Sequence, residues 1–198
     1  MLMGKEVDET TLGGVNGLSF VIPLAAVITS ENLDEGLAMC EGQPDAYLLD
    51  DIMTDDEVQQ FFVQEEAMGE PFTIGISNPF ISSEYRTQMI AELIEVNEEY
   101  MDMGLTTELV IESADTDVAG QIQQLQNLMA QEVDAILVNP GDVNGLNATL
   151  QEALDQDIIV ISVDQELDVP GVYNVGIDQK AWAMESAQWL ADKLGGEG

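Results

Sequence analysis

An α/β fold, a parallel sheet sandwiched by helices, is the class this sequence predicts, and three observations predict it. Short runs that are apolar throughout, such as "DAILVNP" at 134–140 and "DIIVISVD" at 157–164, alternate with longer stretches whose apolar residues recur three and four apart. Strands apolar on both faces belong in a sheet covered on both faces, which is where parallel sheets occur. The chain has 198 residues, 45% of them hydrophobic, enough to bury one ordinary core.

The regular pattern starts at residue 72. "FTIGIS" (72–77) is a short apolar strand. In the helix that follows, Met89, Leu93 and Val96, with Ile90 and Ile94 beside them, form a stripe while Glu92, Glu95, Glu98 and Glu99 face away. "TELVIES" (107–113) is the next strand, and Asp117 caps a helix in which Ile122, Leu125 and Met129 recur at helical spacing. "DAILVNP" is a third strand, Asn144 to Gln156 a third helix and "DIIVISVD" a fourth strand. "VYNVGI" (172–177) is a final short strand, leading into a helix through "AWAMESAQWLADKL".

Residues 1–71 read differently, as an acidic N-terminal segment. "GLSFVIPLAAVITS" (17–30) has an apolar core too short for a helix across a bilayer and the right size for a signal peptide, but Lys5 stands against Glu6, Asp8 and Glu9 ahead of it. Leu37-Ala38-Met39-Cys40 has the outline of a lipoprotein cleavage box, with Met39 where a small residue is needed; an ordinary thiol is the plainer reading of Cys40. Residues 41–70 carry ten acids and no base and read as a tether or a marginal helix.

Charge excludes several functions. There are 39 acidic residues against 4 basic ones, a formal charge of -35, and no histidine. Nucleic acid is not an expected partner, because a phosphate backbone needs Lys and Arg to displace its counterions. Anionic membrane surfaces are disfavoured for the same reason. The plain reading of the acidity is adaptation to high salt, which screens the self-repulsion of a carboxylate surface. With one cysteine and no histidine, no internal disulfide and none of the usual zinc or iron sites is expected. "DTDVAG" (115–120) opens like a calcium loop but has Ala119 at a ligand position and Gln126 in place of the closing Glu; it reads as a helix start, and no metal or cofactor is expected.

Parallel sheets bind ligands beyond the carboxyl ends of their strands, where the strand order reverses. Asn78 and Phe80 follow the first strand, Asn139 and Asp142 the third, and Asp164 and Gln165 the fourth. The set suits a sugar. Asn78 both donates and accepts, Asp164 accepts from two hydroxyls, and an aromatic face stacks on the C–H side of a sugar ring. Local readings stand beside these: Asn78 before Pro79 is a good turn residue, Phe80 could plug the space beneath the first helix, and Asp164 could cap a turn.

"IGISNPF", the long helix, "DTDVAGQIQQLQNLMAQEVDAILVNPGD" and "IIVISVDQE" together resemble the periplasmic sugar-binding proteins of ABC transporters, the ribose-binding type with two lobes hinged around a sugar. The resemblance runs from about residue 72 to the end and implies a type I periplasmic binding protein fold. It implies that 72–176 is the first ligand-binding lobe, that the chain crosses over near Gly176 to Asp178, and that 177–198 is the crossover and first helix of a second lobe otherwise absent. Trp182 and Trp189, seven apart on that helix, would then pack on the missing strands. By the same resemblance Asn78 and Phe80 form the wall of the first lobe and Asp164 holds sugar hydroxyls. Ile81 and Gln165 stand where the family's ribose binders have a second aromatic and an Arg, so the implied ligand is a monosaccharide or related polyol without being ribose in particular. Gln165 can still donate to a hydroxyl. Arg86, one turn into the first helix, is the nearest spare cation, or else pairs with a surface acid such as Glu84.

What the resemblance implies of function is a non-enzymatic, monomeric solute-binding component of an ABC importer, periplasmic or extracellular and tethered to the membrane, with the permease subunits as partners. The alternative is a sensory receptor lobe that docks on a membrane kinase or chemoreceptor. A dinucleotide enzyme would share the sheet, but "GISNPF" lacks the G-x-G-x-x-G turn. A lactose-repressor-type regulator would need a basic helix-turn-helix where residues 1–71 hold a single Lys.

Overall fold

The structure, a computed structural model, describes residues 7–22, 28, 30–42 and 71–195. The tether reading of residues 41–70 falls almost wholly outside the described residues. Six strands are found among the described residues: β1 (Ser19–Ile22), β2 (Ile74–Asn78), β3 (Val110–Ser113), β4 (Ala135–Val138), β5 (Ile159–Val163) and β6 (Tyr173–Ile177). The α-helices among the described residues are α1 (Leu33–Met39), α2 (Glu84–Asp102), α3 (Val118–Ala130), α4 (Asn147–Leu154) and α5 (Gln179–Lys193). One sheet holds all the strands in the order β1-β6-β5-β4-β2-β3, and β2 with β3, β2 with β4, β4 with β5 and β5 with β6 pair in parallel. This is the α/β class expected, with helices α2 to α4 supplying the crossovers.

Two helices explain where the core sits. α3 packs on β2 and β3, and α4 on β5. Between them and the sheet, Leu125, Leu128, Ile136, Val138, Leu150 and Val160 are fully buried. Gly75 in the middle of β2 lets α3 approach: a Cβ there would lie 3.0 Å from a Leu128 methyl. Asp117 starts α3 as expected, its side chain accepting from Gly120 N, and Asp178 does the same for α5 at Ala181 N.

The opposite sheet face is less covered. Leu137, Ile159, Ile161 and Val163 there are only half-buried. α2 lies toward it through a stripe that differs from the one expected. Arg86, Met89, Ile90, Leu93 and Asn97 face inward, while Ile94 and Val96 are exposed. The cause is Asn97, which turns in to donate from Nδ2 to Thr107 O at 2.9 Å and satisfies a backbone carbonyl that a valine could not.

The apolar stretch ahead of residue 72 contributes β1, next to β6 at the sheet edge. Asn16 fixes it. Its Nδ2 donates to Val169 O and Val172 O, and its Oδ1 accepts from Leu18 N and Asn174 Nδ2. By contacts the chain divides into two units, residues 1–20 with 59–176, and 21–58 with 177–198. The first holds β2 to β5, most of β6 and α2 to α4. The second holds α1 and α5, with Lys193 3.8 Å from Glu31 and lying over the Trp189 ring. α5 has no buried residue; Trp182 and Trp189 are both exposed. Cys40, at the end of α1, is a free thiol of intermediate exposure.

Candidate functional site

The chain runs from β2 to β3 on one side, then returns to place β4 on the other side of β2. The order therefore reverses between β2 and β4, and the crevice beyond their carboxyl ends is where such a sheet takes a ligand. Asn78 ends β2, Asn139 follows β4 and Asp164 follows β5, on three adjacent strands.

Asn78 is fully buried. Its Nδ2 donates to Phe80 O (3.1 Å) and Ser113 Oγ (3.0 Å), while its Oδ1 is buried without a hydrogen-bond partner. The Nδ2 bond to Phe80 O shapes the turn that carries the Phe80 ring, which is 47% exposed and so is not a plug under α2. Asp115, from the loop after β3, anchors the next two residues: it accepts from Ile81 N (2.8 Å), Ser82 N (3.2 Å) and Ser82 Oγ (2.6 Å). The Ser82 hydroxyl and then the Ile81 N–H hold the Asp115 carboxyl below its ordinary pKa of 3.8. The carboxylates of the calcium-like stretch are thus occupied by the chain's own donors, Asp115 by this turn and Asp117 by the α3 cap. No group of metal-ligating side chains occurs among the described residues.

Arg86 turns inward and lies with Nη2 3.7 Å from Asp164 Oδ2, rather than pairing with Glu84. The two side chains are 12% and 29% exposed, and Arg86 Nη1 is buried without a partner. Asp164 sits at φ +75°, a left-handed backbone that costs an ordinary residue about 1 kcal/mol. Glu132 and Asp157 also have positive φ, but they end helices, where that conformation is usual. Asp164 follows a strand. Gly176 on β6 accommodates it, since a Cβ there would come within 3.2 Å of the Asp164 carbonyl oxygen. Tyr85 is exposed beside the pair; partial burial, then the Asp164 carboxylate, raise its pKa above 10.

Two predicted residues are engaged locally. Gln165 Nε2 donates to Pro140 O at 3.2 Å and ties the β5 loop to the β4 loop. Asp142 Oδ1 accepts from Asn144 N (2.9 Å) and Gly145 N (2.7 Å), and those bonds lower its pKa. Asp142 therefore caps its own turn.

Sequence reading missed the supports. Gln121 and Gln124 of α3, both buried, reach under the strand ends: Gln121 Nε2 donates to Asn139 O and Gln124 Nε2 to Asn78 O, while Ser77 Oγ donates to Gln124 Oε1. Gln121 Oε1 also accepts from Gly141 N. The available signal was two glutamines three apart on the apolar side of a helix. The site offers amide and carboxylate acceptors, a guanidinium donor and an open aromatic face, the equipment for hydroxyl groups on a carbon ring or chain.

The family described as periplasmic binding protein domain matches residues 74–198. The chain is 37% identical over 92 residues to the xylitol-binding protein of Mycolicibacterium smegmatis, covering 46% of this chain and 26% of that one. It is 28% identical over 130 residues to the ribose import binding protein of Bacillus subtilis, covering 63% and 39%. Among solved structures it resembles an ABC transporter solute binding protein from Thermobispora bispora, with TM-score 0.60, 29% identity and coverage of 64% of this chain and 40% of that one. A galactofuranose binding protein matches with TM-score 0.54 and 29% identity, over 64% and 43%. The chain spans well under half the length of each of these relatives.

Proposed function

The chain belongs to the periplasmic binding protein domain family, and from that premise we propose that it is the solute-binding component of an ABC importer for a monosaccharide or related polyol. Residues 72–176 form one wall of the ligand cleft, and a second lobe of the whole protein forms the other. The open protein captures the sugar, closes by bending at the crossovers and presents the closed form to the permease, outside the cytoplasmic membrane. Asn78, Arg86 and Asp164 take hydroxyls, Phe80 stacks on the ring, and no bond of the ligand is made or broken. Gln165 and Asp142 hold the loops around them.

The observation that carries this reading is the meeting, at the switch point, of a buried amide from β2 and partly buried charged groups from α2 and the end of β5 with an exposed aromatic ring. Support also comes from the relatives, whose names are those of xylitol-, ribose- and galactofuranose-binding proteins. The Asp164 backbone adds to it, because strain away from any helix end is retained where a side chain must be aimed.

The test is calorimetric titration of the full-length protein with pentoses, hexoses, pentitols and inositols, at low and high salt. Micromolar or tighter binding of one of them is expected. A folded protein silent to the whole panel would sink the proposal.

A further inference from the structure

Strands β5 and β6 are parallel neighbours, yet residues 164–172 join them without a helix. Such a crossover usually carries a helix, which satisfies its own backbone groups. Here Leu167, Val169 and Val172 are buried in the core, and their backbone groups need partners from elsewhere. Two asparagine side chains supply them. Asn174 of β6, 1% exposed, accepts from Leu167 N at 2.9 Å and donates to Leu167 O at 3.2 Å, doing for that residue what a neighbouring strand would. Asn16 donates to Val169 O at 3.1 Å and Val172 O at 2.8 Å, and accepts from Asn174 Nδ2 at 3.1 Å and Leu18 N at 3.0 Å. The nitrogen and oxygen of both amides are thus all bonded, and each orientation is fixed: reversed, Asn16 would set its oxygen against two carbonyls and Asn174 against Leu167 O.

The loop held in this way begins at Asp164. Asp164 N donates to Val175 O at 2.9 Å, and Ser162 Oγ donates to Gln165 O at 2.7 Å. Asn174 precedes Val175, and its own N–H donates to Leu18 O at 2.9 Å. Residues 13–19 form a hairpin closed by two backbone bonds between Gly13 and Ser19. That hairpin therefore reaches Asp164 by two routes, through β6 and through the loop. The positive φ of Asp164 persists only where its surroundings over-determine it. Part of those surroundings is Asn16, which lies outside the residues 74–198 that the family matches.

We propose that Asn16 is a positioning residue: by holding residues 165–172 it keeps Asp164 aimed, and it couples the hairpin of residues 13–19 to ligand affinity. This rests on the reading of Asp164 as a sugar contact. The stretch with the size of a signal-peptide core starts inside this hairpin and is then a working part of the lobe. The test is titration of the full-length protein with xylitol, D-ribose and D-galactose, as wild type, Asn16→Ala, Asn16→Asp and Leu128→Ala, with amide hydrogen exchange and thermal unfolding of each. For whichever compound binds, Asn16→Ala is expected to weaken binding about 3- to 30-fold and to speed exchange at Leu167 N and Asp164 N. Asn16→Asp keeps the acceptor for Leu18 and Asn174 but turns an oxygen toward the Val169 and Val172 carbonyls, and is expected to lose at least as much. Leu128→Ala, a core loss in α3, is expected to bind within about threefold of wild type although it is less stable. Coupling is reciprocal, so in the wild type bound ligand is expected to slow exchange at Leu18 N and Leu167 N, a reading that stands even if both Asn16 variants fail to fold. Either Asn16 variant binding as tightly as wild type, whatever its stability, would overturn the inference and leave the sugar site standing. So would a loss of affinity in Leu128→Ala as large as in Asn16→Ala, and so would exchange at Leu18 and Leu167 that ignores the ligand. A folded wild type that binds none of the three removes the sugar reading and this inference together.

Discussion

Removing the Asp164 carboxylate takes away a hydroxyl acceptor and leaves a mostly buried guanidinium without its counter-charge. Asp164→Ala is therefore expected to weaken sugar binding by about 1 to 3 kcal/mol, read by titration. Phe80→Ala should cost a similar amount through lost stacking and change thermal stability little, because the ring is half exposed. Unchanged affinity in both variants would remove the site assignment. Asp115 gives a pH signature. Its folded pKa lies below 3.8, so the stability it contributes is fully present above that value and is lost as pH falls through the lower, folded one. Hydrogen-exchange protection of the Ile81 and Ser82 amides should then fall in that acid window, and in Asp115→Ala should already be low at neutral pH. At this scale Asn78 and Phe80 were legible, because a turn after an apolar strand announces where they sit. The Arg86–Asp164 pair was not, since the two residues lie on elements separated by β3, α3, β4 and α4, and only the sheet order brings them together.

Elements were legible where one face is apolar and ambiguous where a buried polar residue takes part. All five strands expected from residue 72 onward form, each within a few residues of its expected bounds. α2 was misjudged by about one position in its inward stripe, because periodicity counts apolar residues and gives no weight to Asn97 reaching Thr107 O. α3 was read for its apolar face alone, and Gln121 and Gln124 on that face turn out to hold the carbonyls of Asn139 and Asn78. Two substitutions separate packing from positioning in this helix. Leu128→Ala empties a fully buried position and is expected to cost about 2 to 5 kcal/mol of stability in denaturant unfolding. Asp117→Ala removes the cap at Gly120 N and is expected to cost about 1 kcal/mol. If Leu128→Ala cost no more than the cap, α3 would not be seated on the core as described.

At the scale of the whole molecule the α/β class followed from the alternation of apolar runs with helical stripes, whereas the strand order did not, because nothing in that alternation says on which side of β2 the chain returns. The charge of -35 concerns the molecule as a whole. Raising salt from about 0.1 M to 1 M shortens the screening length from about 10 to 3 Å, so the melting temperature is expected to climb over that range; a melting temperature that fell would mean the acids are not repelling one another. Asn16 has a consequence in time. It bonds to Val169, Val172 and Asn174, residues 153 to 158 positions further along. β1 is synthesised before β2 to β6 and can pair only after β6 exists, and closing so long a loop places its docking late on the folding path. Asn16→Ala is expected to speed unfolding and leave the refolding rate nearly unchanged, so a strand made ahead of its five partners in the sheet would be the last of them home.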